Sequence, residues 1–232
     1  MEQPFEVDQI VQRYAIPLNS NILHSYHELQ EINIDREFIY VLLESFENLS
    51  DFKPTQYERF SLPTIVDYIR RTHRYYLSKK LLEIEQSISI LLKNYDGNHP
   101  LLSVLDKFYS DYKKDLIEHI KAEEVHVLPY IDVLLKSEHD KTLTFDRAQQ
   151  SKNFSLKSFV ENHHDTEEDL SNVRNTILQY QPPVTNETPY RILLTQLHAF
   201  ERDLAVHALI EDHVLIPRAL ALEERLTEPR NR

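Results

Sequence analysis

Asp115-Leu116-Ile117-Glu118-His119-Ile120-Lys121-Ala122-Glu123 and Asp203-Leu204-Ala205-Val206-His207-Ala208-Leu209-Ile210-Glu211 are two copies of one phrase, D-x3-H-x3-E. Each is followed, six residues after its Glu, by a proline, Pro129 or Pro217. The apolar pair before each proline also matches, Val127-Leu128 against Leu215-Ile216. A spacing of four returns to the same face of a helix, because a turn takes ~3.6 residues. Asp, His and Glu therefore form a column, twice. Such a column turns an imidazole and a carboxylate together toward a partner helix, as a metal held inside a helical bundle requires.

Outward from these phrases, apolar residues recur at three and four along the chain, and the single glycine, Gly97, leaves few of the turns that hairpins use. Both features argue for an all-α fold. Four long helical segments are expected: from near Ser61-Leu62-Pro63 to about Asn94; from near Pro100 through the first phrase to about Leu135; from about Ser155 to Gln179; and from about Pro189 to Glu224. Pro63 suits a first helical turn, whereas Pro129 falls inside an apolar stripe and should kink its helix without ending it. Short connections between the four make an antiparallel, up-down-up-down four-helix bundle over 63–224. Ahead of it, 1–52 reads as a small helical N-terminal segment, with Asp35 as an N-cap, and 53–62, punctuated by Pro54, as a linker; 225–232 is a tail.

The duplication extends beyond the two phrases. His73 on the first segment and His164 on the third stand 91 positions apart (164 − 73), against 88 between the phrases (207 − 119). Four imidazoles, His73, His119, His164 and His207, and two carboxylates, Glu123 and Glu211, would thus converge from all four helices. Nitrogen and carboxylate donors suit iron, manganese or zinc, and two facing glutamates can bridge a pair of ions about 3.5–4 Å apart. A closed structural zinc site would not use six ligands in this way. Asp115 and Asp203, one turn before each phrase's histidine, are candidates to accept the outer ring N–H; Glu161 and His126 are further candidates behind the ligands. For His126 a place at the core edge is the alternative, and for the two aspartates a plain packing or surface role.

Composition narrows the partners. With 38 acidic against 26 basic side chains, a formal charge of −12, nucleic acid and anionic membrane surfaces are disfavoured. No apolar run approaches the ~18 residues of a membrane span, the start lacks the features of a secretory signal, and cysteine is absent; a cytoplasmic location is the expectation. Oligomeric state is not legible.

At these residues the sequence resembles the hemerythrin-like (HHE cation-binding) domain, and more closely the repair-of-iron-centres family of di-iron proteins. The resemblance covers about 61–222 and is carried by His73, His119-x3-Glu123, Glu161-x2-His164-Asp165, and His207-x3-Glu211 followed by Val214-Leu215-Ile216-Pro217. It implies two iron ions with an oxo bridge, terminal ligands at His73, His119, His164 and His207, and bridging carboxylates at Glu123 and Glu211. It also implies iron–sulfur cluster repair under nitrosative or oxidative stress, a small diatomic ligand such as oxygen or nitric oxide, and iron–sulfur proteins as partners. Residues 5–52 resemble that family's small N-terminal domain through Arg13-Tyr14-Ala15-Ile16, but Asn19-Ser20 stand where the family has a Cys-Cys pair. Steps that need those thiols therefore lack their residues here. Other readings of the same ligands are a hemerythrin-like carrier or sensor of oxygen or nitric oxide, a ferritin-like oxidase or iron buffer, and a metal-free helical scaffold. The ferritin-like pattern uses Glu-x-x-His on two helices, and only Glu161-x-x-His164 fits it.

Overall fold

A computed structural model describes residues 5–14, 35–94, 100–140, 154–161, 167–178 and 187–227, and all regular structure among them is helical. The helices are α1 (Phe5–Arg13), α2 (Arg36–Glu47), α3 (Leu62–Tyr75), α4 (Leu81–Leu92), α5 (Pro100–Ala122), α6 (Leu128–His139), α7 (Leu156–Glu161), α8 (Glu167–Leu178), α9 (Thr188–Ile210) and α10 (Ile216–Thr227). Asp35 caps α2 as its sequence position suggests, its Oδ1 accepting from the backbone N–H of Glu37 at 2.9 Å and Phe38 at 3.3 Å. Ser61 Oγ accepts from Thr64 N–H at the start of α3, with Pro63 in the first turn, where a missing N–H costs nothing.

Three of the long segments are α-helices joined end to end by a π turn: Tyr76–Lys80 between α3 and α4, Glu123–Val127 between α5 and α6, and Glu211–Leu215 between α9 and α10. Each turn closes with an i→i+5 bond, from Leu81 to Tyr76, Leu128 to Glu123 and Ile216 to Glu211. The last two have a visible cause. Pro129 and Pro217 lack an N–H and press their rings on the preceding turn, and one wider turn relieves the clash. At Pro129, where a kink without an end was expected, a π turn opens at Glu123 and the helical segment runs on to His139. The turn at Tyr76–Lys80 has no proline near it, and we have no physical account of it.

Side-chain pairs fix the directions. From α3 to α4, Arg70 meets Asp132, His73 meets Glu123, and Tyr109 donates to the Leu81 carbonyl, so the first and second long segments are antiparallel. The first and fourth are antiparallel too, with His73 beside His207 and Tyr76 beside Phe200. On α8 and α9, Arg174 pairs with Glu201 and Tyr190 reaches the Ile177 carbonyl, again antiparallel. The all-α bundle expected from the sequence is therefore present among the described residues.

The core divides into two apolar clusters. One takes Ile65 and Ile69 of α3, Leu128 and Ile131 of α6, and Ile210, Leu215 and Ala219 near the end of the fourth segment. The other takes Tyr76, Ile84, Leu116, Ile120, Leu197, Phe200 and Leu204. Along the first and second segments the change from one cluster to the other brackets His73 and Glu123, and along the fourth it falls between Leu204 and Val206, just ahead of His207; the three belong to neither cluster. These polar side chains form the layer between two apolar halves.

The N-terminal elements belong to the first cluster. Ile10, Val11 and Tyr14 of the α1 region, Phe38, Leu42 and Phe46 of α2, and Tyr57 and Phe60 all pack into it. Tyr57 lies in the stretch read as a linker, yet it is fully buried and its hydroxyl stands 2.8 Å from Ser45 Oγ. No helix among the described residues is long and apolar enough to cross a membrane.

Candidate metal centre

Glu123 lies at the centre of the polar layer, completely buried where α5 passes into its π turn. Its two oxygens go to two helices: Oε1 is 2.5 Å from His119 Nε2, one turn earlier, and Oε2 is 2.9 Å from His73 Nε2 on α3. The second contact is close but out of line for a well-formed hydrogen bond, since His73 Nε2 has no aligned partner. We read it as an electrostatic pairing. On the fourth segment His207 Nε2 is 3.5 Å from Glu211 Oε2, and both residues are buried. The His73 and His207 rings meet edge to face at 5.2 Å.

His73, Glu123 and His207 each offer a ligand atom, and these atoms lie within 4.8 Å of one another. Two donors bound at about 2.0–2.2 Å to one ion can be at most ~4.4 Å apart, so a small inward movement would close the group on a metal. The electrostatics point the same way. Glu211 is held well above the ordinary carboxyl range by burial first and then by the nearby charges of Glu123 and Asp212. His207 is pushed well below the usual imidazole value by burial, with His73 and His119 adding to it. His73 is also pulled down by burial, but its contacts with the carboxyl groups of Glu123 and Glu124 outweigh this and leave it raised. Burial and charge thus favour the acid form of Glu211 and the neutral form of His207, while the carboxyl groups beside His73 favour its protonated form. Two carboxyl groups buried among imidazoles form a donor set whose chemistry fits a cation.

Of the six ligands read from the sequence, His73, His119, Glu123, His207 and Glu211 lie in or beside this layer. His164 lies outside the described residues, as does the side chain of Glu161. Among the four candidates behind them, the outcomes differ. Asp203 is fully buried but holds Arg13 at 2.5 Å and the Tyr76 hydroxyl at 2.9 Å, both through Oδ1. His207 Nδ1, the atom its sequence position assigns to it, has no hydrogen-bond partner. Asp115 is exposed on α5, so the two phrases are not equivalent at their first position. His126 is exposed and stacks on Phe154 at 6.0 Å. The seven-residue spacing from His119 would have put both on one face of an unbroken α-helix, but the π turn inserts an extra residue and turns His126 away.

Two site residues escape the sequence reading. Glu124 Oε1 accepts from His73 Nδ1 at 2.8 Å, which leaves Nε2 turned toward Glu123. Its only sequence signal is the acidic doublet Glu123-Glu124, echoed by Glu211-Asp212. Arg13 enters the interior from α1, and its signal is a cation on a helix face otherwise occupied by Ile10, Val11 and Tyr14.

No protein-family model matches the chain. It is 26% identical over 153 residues to the iron-sulfur cluster repair protein ScdA of Staphylococcus haemolyticus, covering 66% of this chain and 65% of that protein, just under two thirds of its length. It is 20% identical over 188 residues to the proteins of the same name from two strains of Staphylococcus epidermidis, covering 80% of this chain and 79% of theirs. The chain is therefore similar, at low identity, to iron–sulfur cluster repair proteins.

Proposed function

We propose that this is a non-haem iron protein of the iron–sulfur cluster repair type, acting in the response to nitrosative or oxidative stress. His73, His119, His164 and His207 would be terminal ligands and Glu123 and Glu211 would bridge two ions, the assignment the family resemblance implies. The observation that carries the reading is Glu123: a fully buried carboxylate whose oxygens face histidines from two antiparallel segments, with a second His–Glu pair beside it. When bound, the iron pair supplies one-electron redox chemistry and open positions for a small ligand or a departing iron. The protein's part is binding, orientation and charge. Glu124 holds the His73 ring so that Nε2 points inward. Glu123 and Glu211 would hold the two ions, and their negative charge would keep the cations together through a change of oxidation state. The apolar clusters on either side limit water around the layer. With no cysteine in the sequence, the chain holds iron through nitrogen and oxygen alone, so thiol chemistry in cluster repair would come from a partner.

Metal analysis and the optical spectrum of freshly purified protein test the proposal. Close to two irons per chain with an oxo-bridged diferric band supports it. A colourless protein that takes up no iron after anaerobic reconstitution overturns it and leaves a helical scaffold.

A further inference from the structure

His207 turns Nε2 toward Glu211, and its buried Nδ1 has no hydrogen-bond partner. Asp203 lies four residues earlier on the same face of α9 and is fully buried. From such a position a carboxylate can accept the outer N–H of a ligating imidazole and make it a stronger donor to metal. Asp203 is otherwise engaged. Arg13 Nη2 and the Tyr76 hydroxyl both take Oδ1, and Oδ2 is left buried without a partner. Arg13 arrives from α1, 190 positions away in sequence, with its side chain completely enclosed. The rings of Tyr68, Tyr75 and Tyr76 surround its guanidinium at 5.4, 5.3 and 5.9 Å. An imidazole nitrogen and a carboxylate oxygen, both orphaned, thus stand one helical turn apart while the carboxylate serves a cation brought in by the N-terminal helix.

We propose that Arg13 is a positioning residue for the metal centre: docking of α1 commits Asp203 to Arg13 and withholds it from His207, and withdrawal of Arg13 frees Asp203 to accept from His207 Nδ1–H. The driving force is the cost of a buried, unpaired carboxylate, and the imidazole one helical turn away on the same face has an unpaired nitrogen to offer it. The functional consequence rests on the metal-binding reading above. A guanidinium near the ligands opposes cation binding, and a carboxylate behind His207 favours it. The docked N-terminal helix therefore holds the site in its weaker-binding form, and the segment sets how readily iron leaves.

The test uses the full chain with Arg13→Met, which keeps an apolar stem among the tyrosines, Arg13→Gln as a second neutral variant, Arg13→Lys, and Arg13→Met combined with Asp203→Asn. In metal-free protein, imidazole nitrogen NMR, with His207 assigned by its loss in His207→Ala, should show Nδ1 moving to a carboxylate-bonded position in both neutral variants. Arg13→Lys keeps a cation beside Asp203 and should preserve the wild-type signal, and the double variant should return to it. Ferrous ion competed against a chromophoric chelator should bind about tenfold tighter to the neutral variants, and not to the double variant. A merely structural ion pair would lower thermal stability in every variant and leave the imidazole signal in place. A folded neutral variant with an unmoved signal overturns the proposal, and so does an equal gain in affinity with and without Asp203. If the wild type binds no iron, the function proposed above fails, while the imidazole spectrum still decides this inference.

Discussion

At the scale of single residues, Glu123 and Glu211 carry the strongest consequence. Either one changed to Ala removes a shared anion from a buried layer, where two cations repel with little screening. We expect Glu123→Ala or Glu211→Ala to reduce iron to one per chain or none and to abolish a bridged diferric spectrum. His73→Ala removes a neutral ligand that water can replace, so it should retain more metal with a shifted band. Exposed His213 is the silent control. Iron quantification and absorbance on the four variants decide it, and full loading in both Glu variants would rule out bridging. Protons offer a second measurement. Burial and neighbouring charge hold Glu211 in its acid form, and Glu123 and Glu124 favour protonated His73 against the pull of burial. Metal uptake must displace those protons, so titration with ferrous ion in weak buffer should release acid, and affinity should fall as pH falls. Pairs such as His119 and Glu123 were legible because helical spacing puts them on one face. Glu124 was not, because its partner His73 is 51 positions away and only the packing of α3 on the second segment joins them.

Elements were legible in kind and less so in register. A 3.6 period and the caps at Asp35 and Ser61 announce helices, but a π turn has no period of its own. Only the common offset of Pro129 and Pro217 from their glutamates hinted that two helices bend in the same way. It was that widening which turned His126 from the face expected for it. Whether proline holds the register can be decided by magnitude. Pro129→Ala would restore an N–H and allow a regular α-turn, a gain of roughly 1 kcal/mol. Rotating α6 to suit that turn would expose Leu128, Tyr130, Ile131 and Leu134, at roughly 1.5–3 kcal/mol for each. Packing wins by a wide margin. Pro129→Ala should therefore keep wild-type iron content and spectrum, with stability changed by about 1 kcal/mol or less. Loss of iron with unchanged far-ultraviolet dichroism would show instead that the proline itself sets the ligand register.

For the whole molecule, the sequence suggested a boundary that the packing does not respect. Pro54 read as punctuation in a linker between an N-terminal segment and the bundle, but it opens a 3₁₀ turn, while Pro63 takes the first turn of α3 as expected. Tyr57 and Phe60 between them fill the same core as Ile65 and Ile69. Proline marks a change of backbone direction, whereas burial depends on apolar side chains, and in this stretch the two signals disagreed. If 1–52 were an independent appendage, its removal would leave a folded, iron-loaded bundle. The observed core predicts otherwise. Deleting 1–52 strips Ile10, Val11, Tyr14, Phe38, Ile39, Val41, Leu42 and Phe46 from the first cluster. At roughly 1.5–3 kcal/mol for each buried side chain, the loss reaches the ~5–15 kcal/mol that holds a typical domain folded. Deletion also leaves Asp203 buried without its cation. The truncated chain should therefore aggregate or lose its cooperative melt, and iron should fall with the fold. Phe38→Ala is the graded version: a cavity beneath Tyr57, Phe60 and Tyr68 should cost about 3–5 kcal/mol. Because Phe38 is not part of the polar layer, that variant should load iron normally at low temperature and lose it only on melting. A truncated chain that melts cooperatively near the wild-type temperature with its iron in place would show that the bundle stands alone, and that α1 and α2 merely rest on it.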